Sequence, residues 1–175
     1  MVTAQKNYPI LSDVSLEKHL FNTAVAENLR KESGFMFLGE FKHTVDSKNR
    51  MFVPAKFREE LGETFVVAQS MSGSALKMIA MSEWDNYIEP IKKLPALQRE
   101  VAMRAMSRTA IQVTPDSQGR IVLSPTLMEY AGITKNAVIV GCVNTAEIWA
   151  DENDQSAIAE EKSLDWRAIL AASDN

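Results

Sequence analysis

Thr44-Val45-Asp46-Ser47-Lys48-Asn49-Arg50 returns seventy residues later as Thr114-Pro115-Asp116-Ser117-Gln118-Gly119-Arg120. The register holds without a gap from 44–62 onto 114–132, with identities at Thr44, Asp46, Ser47, Arg50, Glu59 and Gly62. Random pairing of common residues would give about one identity over such a stretch. Apolar positions follow the same register: Met51 with Ile121, Phe52 with Val122, Val53 with Leu123, Phe57 with Leu127. A duplicated unit constrains the fold more than any single pattern, because both copies must be able to adopt the same local structure. The centre of this repeat is short and polar, which points to function as well as architecture.

Each copy reads as strand, turn, strand, helix. In the first, Phe37, Gly39, Phe41, His43 and Val45 alternate with Leu38, Glu40, Lys42 and Thr44, the period of a half-buried strand. Asp46 to Asn49 is a turn, and Arg50 to Val53 a short return strand. Asp46 and Asp116 open their turns by accepting hydrogen bonds from backbone N–H groups two or three residues on. Gly119 supplies the positive φ that such a turn needs, and Asn49 is the next-best residue there. An Asp–Arg bond across each turn would hold the Arg50 and Arg120 guanidinium groups in place.

A helix from Pro54 at its first position to Leu61 ends at Gly62, read as a left-handed cap. Strands are expected at 64–69 and 75–80. A helix capped by Ser82 carries Trp84, Ile88 and Ile91 on one side. After the break at Pro95, a second helix turns Leu97, Val101, Ala105 and Met106 inward. The second copy follows with strands at 110–115 and 120–123, a helix at 125–131 capped by Ser124 and Gly132, and strands at 137–143 and 146–150. An acidic helical tail closes the chain, with Ile158, Leu164, Trp166, Ile169 and Leu170 as its apolar points. Ahead of the repeat, positions 15–31 have the spacing of an amphipathic helix. The expected organisation is an N-terminal extension at 1–35, a first unit at 36–82, helices at 83–108, a second unit at 109–153 and a tail at 154–175. This is an α+β chain, mainly β.

Net charge is −4 over 175 residues, which on its face disfavours nucleic acid. The distribution reverses that reading. Residues 147–175 hold eight acids against Lys162 and Arg167, so the rest of the chain is net positive. Within 42–58, Lys42, Lys48, Arg50, Lys56 and Arg58 face Asp46 alone. Local clusters, not the overall sign, decide what is bound. No apolar run approaches the ~20 residues that span a bilayer, no secretory signal is read at the N-terminus, and Cys142 is the sole cysteine. These point to the cytoplasm.

Met36-Phe37-Leu38-Gly39-Glu40-Phe41, Asp46-Ser47-Lys48-Asn49-Arg50 and Val53-Pro54-Ala55-Lys56-Phe57-Arg58-Glu59 resemble the first half of the MraZ transcriptional regulators. Asp116-Ser117-Gln118-Gly119-Arg120, Tyr130-Ala131-Gly132, Val138-Ile139-Val140-Gly141 and Glu147-Ile148-Trp149 resemble the second half. The resemblance covers about residues 36–155 and implies a tandem, pseudo-symmetric pair of SpoVT/AbrB-like swapped-hairpin units. It further implies a ring of identical chains that binds repeats in double-stranded DNA upstream of its own operon, the division and cell-wall gene cluster, and regulates its transcription. The sequence departs from the family at Asn49, where glycine is usual, at Ser124 for proline, at Met128 for arginine, at Ile79-Ala80 for Tyr-Pro and at Asp154 for tryptophan. Residues 1–35 have no counterpart; either Met36 is the true start or the segment is a genuine extra helix.

The first unit carries the basic cluster and the second only Arg120, so the first is expected to face DNA. Lys48 and Arg50 would enter a groove, with arginine suited to bidentate contact with guanine O6 and N7. Lys42, His43, Lys56 and Arg58 would meet phosphates and set register, which makes binding steeply salt-dependent. Arg120 is a further DNA contact or a subunit contact. Lys92, Lys93, Arg99, Arg104 and Arg108 read as exposed helix faces. Asp46 and Asp116 might suggest acid–base chemistry, but His19 and His43 are the only histidines, no Gly-rich phosphate loop is present, and no metal-ligand cluster or cofactor motif is visible. No enzyme, no small-molecule substrate and no membrane partner is expected. An oligomeric scaffold or antitoxin-like partner-binding protein is the alternative.

Overall fold

The computed structural model describes residues 36–71 and 73–165. The amphipathic pattern at 15–31 and the tail residues Trp166, Ile169 and Leu170 lie outside the described residues. Eight strands form two antiparallel sheets among the described residues. They are β1 (Glu40–Thr44), β2 (Arg50–Phe52), β3 (Phe65–Gln69), β4 (Leu76–Ala80), β5 (Ile111–Val113), β6 (Arg120–Val122), β7 (Asn136–Cys142) and β8 (Thr145–Ala150). The larger sheet has the order β1-β7-β8-β4-β3-β5, and β2 pairs with β6 in a separate ribbon.

That order is produced by exchange between the two copies. β1 of the first copy runs beside β7 of the second, with Phe41 opposite Ile139. β5 of the second runs beside β3 of the first, with Phe65 opposite Val113. Interchanging equivalent strands of the two copies reverses the order onto itself, so the arrangement has a pseudo-two-fold axis. The axis passes between Met51 and Ile121, which oppose each other in the ribbon, and between Lys77 and Glu147, which oppose each other where β4 meets β8. Both pairs are equivalent positions of the repeat.

The helices seal the faces. α1 (Ala55–Leu61) buries Phe57 and Leu61, and Phe57 lies edge-on to Phe37 and Phe41 at 5.3 and 5.2 Å between ring centroids. Such ring pairs add about 0.5–1.5 kcal/mol beyond the area they bury. Pro54 precedes α1 as its N-cap and is not within it. Gly62 has φ 83 but ψ −175, so it ends the helix in an extended, glycine-favouring conformation, not the left-handed one. In α5 (Pro125–Ala131) the Ser124 hydroxyl accepts from Leu127 N at 3.3 Å, and Gly132 is left-handed at φ 68, ψ 21.

The helices between the copies differ from the sequence expectation. Ser82 lies inside a 3-10 turn (Met81–Glu83) and caps nothing, and the stretch after it is broken into α2 (Trp84–Tyr87) and α3 (Glu89–Lys92). Ile88 and Ile91 are nonetheless buried. In α4 (Ala96–Thr109) Met106 is buried and Ala102 and Met103 pack against the same cluster as Val66, Ile79 and Ile91. Leu97 and Val101, expected inside, are 75% and 57% exposed, and Ala105, also expected inside, is exposed. Two neighbouring stripes of this helix are apolar, and periodicity alone does not say which one the sheet covers. The tail begins as α6 (Asp151–Ser163), with Ile158 half-buried.

On the axis, Lys77 Nζ lies 2.5 Å from a Glu147 carboxylate oxygen, both side chains largely buried. The Trp149 indole N–H donates to the other Glu147 oxygen at 2.8 Å. Lys77→Glu places two carboxylates together and is expected to cost at least about 3 kcal/mol in chemical denaturation, because a largely buried charge loses its partner. Adding Glu147→Lys restores the pair and should recover all but about 1 kcal/mol, the part owed to the lost Trp149 bond. Failure of the double exchange to recover stability would mean that the pair does not hold β4 on β8.

Candidate nucleic-acid interface

The two repeat turns have the same geometry, atom for atom. Asp46 Oδ1 accepts from the backbone N–H groups of Lys48 and Arg50 at 2.8 and 3.0 Å. Asp46 Oδ2 accepts from Arg50 Nε at 2.8 Å and lies 2.7 Å from Nη2. Asp116 repeats this with Gln118 N and Arg120 N, both at 2.9 Å, and with Arg120 Nε and Nη2 at 2.9 and 2.7 Å. The turns close by Asn49 N donating to Asp46 O and Gly119 N to Asp116 O. Asn49 and Gly119 stand at φ 57 and 77, the left-handed conformation that the turn requires.

The turns are also stitched to each other. Val53 N donates to Gly119 O and Leu123 N to Asn49 O, each at 2.9 Å. Between these bonds runs the β2–β6 ribbon. Met51 and Ile121 point into the core at 0% and 1% exposure. The other face presents Arg50, Phe52, Arg120 and Val122 in a two-by-two array, Arg50 opposite Val122 and Phe52 opposite Arg120. Each guanidinium has five N–H donors; its Asp engages Nε and Nη2.

The arginine side chain and then its backbone N–H hold each Asp carboxyl down to about 2, from an ordinary 3.8. Both arginines are therefore tethered to a permanent anion at neutral pH, which fixes their direction without removing their charge.

The other expected site residues occupy distinct places. Lys48 stands exposed at the tip of the first turn, where Gln118 stands in the second. Lys56 is exposed on α1. Lys42 points outward from β1, with Nζ 3.4 Å from Asp151 at the start of α6. His43 points inward, its ring 5.5 Å from that of Phe52, and its buried Nε2 has no hydrogen-bond partner among the described residues. Burial lowers the His43 pKa, which favours the neutral ring.

Arg58 does something the sequence does not announce. Its Nε donates to Val53 O at 3.1 Å, and its guanidinium carbon is 5.8 Å from the Phe52 ring centroid. The same group lies so close to Gly119 that a Cβ there would sit 2.8 Å from it. A cation of the first copy thus covers the turn of the second, using the space that glycine leaves. Phe52, flanked by His43 and Arg58, is a residue that the sequence reading passed over as a functional candidate; its mark is an apolar residue two positions after the turn arginine in both copies. A cleft of about 360 Å³ beside β1, lined by Lys42, His43, Thr44, Asn136, Ala137 and Asp151, mixes both signs of charge. The described residues contain no metal-ligand cluster, and no described helix is long and apolar enough to cross a membrane.

Interlocked tandem swapped hairpins with paired, aspartate-tethered arginines on one ribbon define the class of protein. A family model described as "MraZ protein, putative antitoxin-like" matches residues 36–104 and 106–172. A protein of Leuconostoc citreum named Transcriptional regulator MraZ is 40% identical over 127 residues, covering 71% of this chain and 88% of its own. One of the same name from Oenococcus oeni is 43% identical over 120 residues, 67% of this chain and 83% of its own. Another from Clostridium acetobutylicum is 37% identical over 139 residues, 73% and 97% of the two chains. The chain belongs to the MraZ family.

A depressed carboxyl pKa stabilises the fold above the unfolded value and ceases to do so as the pH falls through the folded value. The turn bonds should therefore act fully above about pH 4 and be lost toward pH 2. A carbon-13 NMR titration should place both Asp46 and Asp116 carboxyls at about 2. Midpoints near 3.8 would show that the arginines are not tethered in solution.

Proposed function

We propose that this chain is a sequence-specific DNA-binding transcriptional regulator whose reading element is the β2–β6 ribbon with its two turns. The observation that carries the reading is the pair of aspartate-tethered arginines on one exposed ribbon face. A two-stranded ribbon fits the major groove, and arginine there makes bidentate contact with guanine. Arg50 and Arg120 read bases, and Lys48 at the turn tip accompanies Arg50 into the groove. Lys56 and Arg58 meet phosphates. Lys42 meets phosphate only when it leaves Asp151, and His43 supports Phe52 instead of the backbone of the DNA. Asp46, Asn49, Asp116 and Gly119 shape the turns.

One ribbon is a small reader. A ring of identical chains repeats it and multiplies affinity through effective concentration, which suits spaced direct repeats. In this reading the repeats lie upstream of the chain's own operon, the division and cell-wall gene cluster, and the protein is cytoplasmic and nucleoid-associated. The names of the relatives support the regulatory role. A second reading, a non-catalytic scaffold or antitoxin-like partner-binding protein, is favoured by the exposed Leu97 and Val101 stripe on α4.

A mobility-shift titration against the DNA upstream of the operon separates the two. Arg50→Ala should weaken specific binding by about 1–3 kcal/mol with assembly unchanged by light scattering, and Lys56→Ala should reduce the salt slope by about 1 at every sequence. No shift of the parent protein at low salt would turn the reading to the scaffold.

A further inference from the structure

The ribbon face holds two apolar residues that the arginines do not account for. Phe52 is 39% and Val122 56% exposed, at equivalent positions of the repeat. Each stands directly across the ribbon from an arginine of the other copy, Phe52 from Arg120 and Val122 from Arg50. Phe52 is further held by the His43 ring on one side and the Arg58 guanidinium on the other. A side chain held in advance loses little freedom on binding.

We propose that Phe52 and Val122 are specificity-determining residues that contact the C5-methyl groups of thymines flanking the guanines met by Arg50 and Arg120. The inference rests on the DNA-reading function proposed above. Among base edges in the major groove, the thymine methyl is the apolar protrusion, and apolar side chains read it. The dimensions agree. Residues directly opposite on a ribbon lie about 5 Å apart, and alternate residues along a strand about 6.7 Å. Base pairs rise 3.4 Å along each strand. An arginine on guanine therefore brings the facing apolar residue, and the one two positions along, over bases about one to two steps away. The charges around the array fit a polyanion: Arg50, Arg120 and Lys48 all lie at or beside it.

The test alters the DNA before it alters the protein. The full-length chain is used to select binding duplexes from a random duplex library. The best duplex is resynthesised with deoxyuridine at one thymine at a time, which removes the methyl and keeps the base pair. Losing one buried methyl at about 0.8 kcal/mol should weaken binding about fourfold at one or more thymines within about two base pairs of an essential guanine. That loss should vanish in Val122→Ala or in Phe52→Ala, since a contact already removed cannot be removed again. Val122, the more exposed, gives the variant whose fold is least disturbed. Specific binding indifferent to every deoxyuridine, or a deoxyuridine effect equal in both variants and the parent, overturns the methyl contact and leaves the DNA reader standing. Failure to enrich any sequence overturns both.

Discussion

The exchange of β1 and β5 between the copies is the constraint on which everything else hangs. Taken alone, the first copy's β3–β4 hairpin lacks the neighbour that β5 provides, and its own β1 has no place beside it. Unpaired backbone groups next to an apolar core are costly, so neither copy offers a finished sheet without the other. The exchange also dictates where the turns go. Because β1 lies on β7 and β5 on β3, the two return strands approach from opposite sides and meet as the β2–β6 ribbon. A three-residue ribbon would be marginal by itself. Here Met51 and Ile121 anchor it to the core, and the bonds from Val53 to Gly119 and from Leu123 to Asn49 close its ends.

On that frame, electrostatics does its work at short range. Each turn aspartate holds two backbone N–H groups through one oxygen and a guanidinium through the other. The same carboxylate thus shapes the chain and aims the cation, which is why the turn and the arginine come as one motif. The copies are alike in this and unlike around it. Lys48, Phe52, Lys56 and Arg58 of the first stand where Gln118, Val122, Thr126 and Met128 stand in the second. Arg58 reaches across to the second turn, so part of the first copy's charge is delivered to the second copy's surface.

What the sequence made legible was local. The Asp–Arg bonds, the positive φ at Asn49 and Gly119, and the Ser124 and Gly132 caps are all fixed within five residues, and each was readable from residue type and spacing. Longer-range features were less accessible. The strand exchange was implied by family resemblance and not by alternation, because alternation does not name a strand's neighbour. The face of α4 was misjudged because Leu97 and Val101 have the same spacing as the residues that are buried, and only the position of the sheet decides between them. Ser82 had the type of a cap, but the backbone there forms a tight turn instead. The cover that Arg58 gives Gly119 depends on two residues sixty-one positions apart, which no local pattern connects.

The pair on the pseudo-two-fold axis has a consequence of its own. In any assembly of identical halves, a residue on the axis meets itself, so a lysine there would face a lysine and a glutamate a glutamate. Lys77 facing Glu147 is possible only between halves that differ. It penalises either half pairing with its own kind, and it makes covalent continuity of the chain the guarantor of correct partnership. It also gives the clasp a polarity. A symmetric clasp presents the same face after half a turn, whereas this one has a front and a back, and can be laid along a linear partner in one orientation and told apart from the other.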